Sequence, residues 1–118
     1  IFFKKFQKKI IINDKKNIFC IGAARSLPII IKILDIEHKV KSVLDNNKFK
    51  FNKYLPSRYS IKVESQNKHK YSKEKIYLIT AWVHTERVLT KLKKQVSKPG
   101  ENLKIITIFP KFKIFHLK

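Results

Sequence analysis

The chain has 118 residues, with 28 Lys or Arg against 8 Asp or Glu, and a formal net charge of +20. That length holds one domain, or two at most, and 43% hydrophobic residues exclude a disordered polycation. With a pI near 10.2, self-repulsion calls for an anionic partner, nucleic acid ahead of an anionic membrane surface. No apolar run approaches the roughly 20 residues of a spanning helix, and the longest clean one, Leu27 to Ile31, contains Pro28. Cys20 is the only cysteine, which excludes an intrachain disulfide and a Cys-based metal cluster; set among Ile18, Phe19 and Ile21, it reads as a buried apolar filler. Ile, Lys, Phe and Asn are crowded and Gly is scarce, as in the product of an AT-rich genome, organellar or protist. Met is absent even at position 1, which points to processing or an incomplete N-terminus.

In chain order, Ile1 to Lys16 mixes Phe2, Phe3 and Phe6 with paired lysines, in the manner of an import segment or a basic arm. Asn17 to Gly22 is expected as a short apolar strand. Ser26 is placed to cap a helix with Pro28 in its first turn. Ile29, Ile33, Ile36, Val40 and Val43 then recur at helical steps, and the spacing predicts one helix running to Asp45-Asn46-Asn47. Lys48 to Tyr54 alternates Phe49 and Phe51 with polar residues, as a strand does. Thr85 can cap a second helix, with Glu86 in its first turn and Val88, Leu89, Leu92 and Val96 on its apolar face, ended by Pro99-Gly100. Leu103 to Phe109 is a final strand.

Tyr54 to Tyr77 reads as a long hairpin. Its arms are Tyr59 to Val63 and Ile76 to Val83, and its tip carries Lys68, His69, Lys70, Lys73 and Lys75. A charged tip of this length cannot bury itself, so it is expected to project into something anionic. The order is then β-α-β-β-α-β. It closes as an α+β, ferredoxin-like sandwich: a four-stranded antiparallel sheet with two helices on one face. The domain spans 17–109, between a basic arm at 1–16 and a basic tail at 110–118.

This order, Leu55-Pro56-Ser57-Arg58 at the hairpin entry, His69 at its tip, Thr85-Glu86-Arg87, Gly100 and Leu103-Lys104-Ile105 resemble the universal small-subunit ribosomal protein S-ten family. Asn67-Lys68 and Thr80-Ala81-Trp82 depart from the family's pattern. The resemblance implies a structural constituent of the small ribosomal subunit, bound to the 3′ head domain of its rRNA and adjoining small-subunit proteins three, nine and fourteen. Its expected home is the mitochondrial ribosome, or that of another organelle or the cytoplasm of an AT-rich organism. The rival is another ribonucleoprotein's basic α/β subunit, such as an Alba-like component of ribonuclease P, which would lack the helix at Thr85 to Val96.

The candidate RNA-binding residues are Lys53, Arg58, Tyr59, Lys68, His69, Lys70, Tyr71, Lys73 and Lys75. A guanidinium at Arg58 can hold a phosphate bidentately or remain a solvated surface group. The lysines would neutralise phosphates without reading sequence, although a charge run is also what a solvated face looks like. Tyr59 and Tyr71 either stack on unpaired bases or pack along the hairpin; Tyr77 and Trp82 read as core. His38, His84 and His116 are not spaced as metal ligands for His69. Asp35 and Glu37 cannot face each other as an acid–base pair, and two glycines make no phosphate loop. The expectation is therefore no enzyme, no cofactor, no small-molecule substrate and no membrane.

Overall fold

Ile18-Phe19-Cys20-Ile21 and Ile76-Tyr77-Leu78-Ile79 are apolar at every position, and all eight residues are buried. A strand with only one covered face alternates apolar and polar; a strand apolar throughout needs both faces covered. The computed structural model, which describes residues 17–23, 25–72, 74–80, 85–95, 103–107 and 113–117, meets that requirement. These runs are β1 (Ile18–Ile21) and β4 (Ile76–Ile79), side by side and parallel at the centre of the sheet. β2 (Val40–Asp45) and β3 (Lys62–Ser65) continue it on one side, β5 (Leu103–Thr107) and β6 (Lys113–Leu117) on the other. The order is β3-β2-β1-β4-β5-β6. β1 to β5 are parallel, and β6 closes the far edge antiparallel.

Two helices cover opposite faces. α1 (Leu27–Ile33) sets Leu27 and Ile31 on one face, against Ile18, Cys20, Val43, Val63, Ile76 and Leu78. α2 (Thr85–Gln95) sets Leu92, Val88 and Leu89 on the other, against Phe19, Ile21, Tyr77, Ile79 and Ile105. The expected four-stranded antiparallel ferredoxin-like sheet, with both helices on one face, is thereby corrected to a doubly wound α/β sheet. The physical reason lies in β1 and β4, whose outward-facing Phe19, Ile21, Tyr77 and Ile79 a one-sided sandwich would leave in water.

The expected long first helix is two elements. α1 stops at Ile33, and Asp35 reverses the chain with φ 56°. Ile36 then closes the turn through its amide to the Ile31 carbonyl, and Val40 onward is β2. Apolar steps of four and three continue across this break because Val43 meets the α1 face from a strand. Ser26 flanks the helix start without a side-chain cap bond. The expected strand at Lys48 to Tyr54 is instead a 3-10 turn (Lys48–Lys50) capped by Asn47, whose side chain accepts from the Phe49 amide, followed by a second turn.

The expected projecting hairpin is also overturned. β3 and β4 do not pair, since β2 and β1 lie between them. Their connection must cross about three strand spacings of ~4.8 Å, so it runs over the sheet face opposite α1 and packs Tyr71 there. A shorter antiparallel excursion covers β3's outer edge. The Asn52 amide donates to the Val63 carbonyl, the Val63 amide to Lys53, and the Leu55 amide to Ile61. Its tip bends at Pro56 to Tyr59.

Candidate functional site at the carboxyl edge of the sheet

In an open parallel sheet the loops leaving the strands' carboxyl ends gather at one edge, where such folds hold ligands. Here that edge has a crevice, part of whose rim is hydrogen-bonded within the chain, and an open cavity. At the crevice, between β1 and β4, Gly22 has φ 103°, a conformation costly for any residue with a Cβ. Asp45, at the end of β2, accepts the Ala23 amide on one carboxylate oxygen and the Asn47 amide on the other, both at 2.8 Å. Lys50 Nζ donates to the Ala23 carbonyl at 2.8 Å. The Thr80 hydroxyl lies 2.7 Å from the Gly22 carbonyl and 3.1 Å from that of Ile21.

The cavity, about 390 Å³, lies beside it over β2 and β3. Leu44 and Phe51 give it apolar wall, and Asn52, Glu64, Ser65, Lys68, His69 and Lys70 complete the lining. Asn52 turns the chain with φ 63°, which Asn tolerates better than most residues. Glu64 Oε2 is held 2.6 Å from the Ser42 hydroxyl.

His69 is fixed from behind. Its Nε2 lies 2.9 Å from the Tyr77 hydroxyl, which accepts the Ser72 amide at 3.0 Å. Phe19, Tyr71 and Tyr77 surround its ring at centroid distances of 5.0, 5.0 and 5.6 Å. Burial first, and then the Lys75 ammonium, lower its pKa to about 4, with Glu64 opposing. The imidazole is therefore neutral near pH 7. Burial pushes the Tyr71 hydroxyl up to about 12, moderated by the neighbouring Gln66 amide. That neighbour falls short of hydrogen-bond geometry, and among the described residues neither Gln66 Nε2 nor Tyr71 Oη has a partner. Cys20 is wholly buried and its thiol is pushed up to about 12, which removes it as a nucleophile.

The residues singled out in the sequence separate into groups. Lys68, His69 and Lys70 come together on the cavity. Tyr71 packs behind it, and Lys75 places Nζ 4.9 Å from the Phe19 ring centroid. Arg58 and Tyr59 are exposed on the excursion tip, the guanidinium carbon 5.3 Å from the Tyr59 ring. Ser57 ties that tip to Glu37, ahead of β2 and so at the opposite edge of the sheet. Lys53 is exposed along the β3 edge. Lys73, Trp82 and His84 lie outside the described residues. Sequence reasoning missed Leu44, Phe51, Asn52, Glu64 and Ser65. Asn52 beside a turn was a weak local signal, and Glu64 had none. Among the described residues, no group of three or more His, Cys, Asp or Glu is placed to hold a metal ion.

Fold and cavity define a doubly wound α/β domain with a ligand-sized polar cavity at the carboxyl ends of β2 and β3. Its family comes from comparison with known proteins. Residues 5–110 match the family described as the C-methyltransferase C-terminal domain, and the chain belongs to that family. No curated protein matches the chain.

The match overturns the ribosomal S-ten resemblance and with it the role as a structural constituent of the small subunit, the rRNA, and proteins three, nine and fourteen as partners. The ribonuclease P alternative has no support either. A methyltransferase family points to an enzyme acting on a small molecule, against the expected absence of both. The resemblance misled because Leu-Pro, Thr-Glu and a Gly turn recur wherever strands and helices alternate; strand pairing, which they do not encode, separates the two folds.

Carbon methylation needs an electrophilic methyl donor, and the crevice is where a doubly wound fold would hold one bearing a nucleoside. The described residues on the β1–β2 side of it fit such a group poorly. Gly22 is the only glycine of the β1–α1 turn, and the amide and carbonyl of Ala23 are both engaged within the chain. Each oxygen of Asp45, the group that would meet a ribose, already accepts an amide. Pro28 removes a donor from the first turn of α1.

Proposed function

We propose that this chain is the acceptor-holding part of a carbon methyltransferase, with the methyl donor bound outside the crevice at β1 and β4. The cavity over β2 and β3 carries this reading. It is open, ligand-sized and lined by unlike polar groups, while the described residues on the β2 side of the crevice spend hydrogen bonds on one another. Lys68 and Lys70 suit a negatively charged group on the acceptor, and Glu64, Asn52 and Ser65 suit hydroxyls. Leu44 and Phe51 give an apolar surface for its carbon frame. Those residues would bind and orient the acceptor.

The test uses the complete enzyme with a panel of candidate acceptors. Backbone amide shifts should move at Ser65 to Lys70 and at Phe51 to Asn52 when the acceptor is added. Adding the methyl donor should leave Gly22, Ala23 and Asp45 unmoved. In Lys68→Ala with Lys70→Ala, KM for a charged acceptor should rise about 10- to 100-fold, on the scale of ~1.5–3 kcal/mol for hydrogen bonds to charged groups. Donor-induced shifts at Gly22 and Asp45, with none at the cavity, would reverse the assignment.

A further inference from the structure

Among the described residues that line the cavity, Glu64 is the one carboxylate, set in company with Lys68 and Lys70. Strand register puts it there. Leu44 pairs with Glu64 and Ser42 with Lys62, so the two-residue alternation gives all four the same sheet face. Glu64 leans back diagonally across the β2–β3 pair to Ser42. The Ser42 hydroxyl lies 2.6 Å from Glu64 Oε2 and 3.0 Å from the Lys62 carbonyl. Ser42 is only 3% exposed, so the anchor belongs to the sheet although Glu64 itself is exposed. The other carboxylate oxygen, Oε1, meets no hydrogen-bond donor and no ion-pair partner among the described residues. Lys68 and Lys70 therefore share the cavity with this carboxylate without pairing to it. The cavity keeps its positive and negative points apart.

We propose that Glu64 is the specificity residue for a hydroxyl of the bound acceptor, accepting its hydrogen bond at Oε1, and that Ser42 is the positioning residue that aims the carboxylate. The inference rests on the reading of the cavity as the acceptor site. A carboxylate only accepts, so it selects a group with a proton to give. The charge makes that bond roughly twice as strong as one between neutral groups. The same charge repels an anion, so a phosphate or carboxylate is rejected where the hydroxyl belongs. Lys68 and Lys70 draw the anionic group to a separate point. The acceptor class is thus a hydroxylated carbon frame, resting on Leu44 and Phe51, with its anionic group set apart from the hydroxyl that Glu64 reads.

Two small probes separate the hydroxyl from the charge: glycerol 3-phosphate, and propyl phosphate, which has the same anionic group and neither hydroxyl. Each is titrated into the full chain and followed by the backbone amide shifts of Ser65 to Lys70. Glycerol 3-phosphate should bind about 5- to 10-fold more tightly than propyl phosphate. Glu64→Ala should abolish that preference and hold propyl phosphate at least as tightly as wild type, since a repelling charge is gone. Glu64→Gln, which keeps the shape and an accepting oxygen, should retain part of it. Ser42→Ala should reduce the preference several-fold and leave propyl phosphate unchanged, whereas a merely structural loss would weaken both probes alike. Equal binding of the two probes to wild type, or a preference that survives Glu64→Ala, would overturn the inference, while shifts at Ser65 to Lys70 would keep the cavity as the acceptor site. A preference untouched by Ser42→Ala would overturn its positioning role. If neither probe moves those amides, the acceptor-site reading fails and takes the inference with it.

Discussion

His69 carries a pH signature that needs no ligand. Its pKa is lowered from 6.5 to about 4 on folding, so between those values the unfolded chain binds the proton that the folded one refuses. The contribution of neutral His69 is therefore complete above about pH 6.5 and is lost as the pH falls toward 4, by about 1–2 kcal/mol once solvent screening at this half-open site is allowed for. Urea midpoints at about pH 7 and pH 5 should differ accordingly, and the difference should shrink in His69→Phe. Tyr71 next to it makes the opposite point about buried polarity. Its hydroxyl has no partner among the described residues, so Tyr71→Phe should leave stability within about 0.5 kcal/mol of wild type or raise it. A loss well beyond that in thermal unfolding would mean that Gln66 does bond it.

At the scale of elements, the carboxyl edge depends on two loops tied by one carboxylate. Asp45→Ala strands the Ala23 and Asn47 amides together, at about 1–3 kcal/mol for each left unsatisfied. Hydrogen exchange should quicken first at those two amides and at Gly22, whose amide bonds the Leu44 carbonyl. Gly22→Ala adds a Cβ at φ 103° and should cost at least about 1–2 kcal/mol by denaturant titration. α1 offers a contrast along one short helix. Ile31 is buried under the sheet face and Ile33 is 51% exposed. Ile31→Ala should cost about 2–5 kcal/mol, while Ile33→Lys should remain within about 0.5 kcal/mol.

At the scale of the whole molecule, a surplus of 20 positive charges on 118 residues opposes compaction. Raising salt from about 50 mM to 500 mM shortens the Debye length from roughly 14 Å to 4 Å, so the melting temperature should rise over that range. A fall would show that attractive surface pairs outweigh the repulsion. The same surplus led from the sequence toward RNA. Charge reports the sign of a partner and nothing of its size, and in this fold Lys68 and Lys70 stand beside a cavity of small-molecule dimensions.

Local order was largely written in the chain. The strands at Ile18–Ile21, Ile76–Ile79 and Leu103–Thr107 and the helix at Thr85–Gln95 lie where short-range pattern places them. So did the adjacency of Lys68, His69 and Lys70, which a single loop delivers together. Tertiary structure alone decided which strands pair and in which direction, because a strand's side-chain period is the same beside a parallel or an antiparallel neighbour. It decided where one helical period ends and a strand begins within Ile29 to Val43, since Asp35 breaks a pattern that packing then continues. It also brought Leu44, Phe51, Asn52 and Glu64 to the loop at Ser65 to Lys70. A cavity is a relation between segments distant in sequence, and only the closed sheet sets the distance between them.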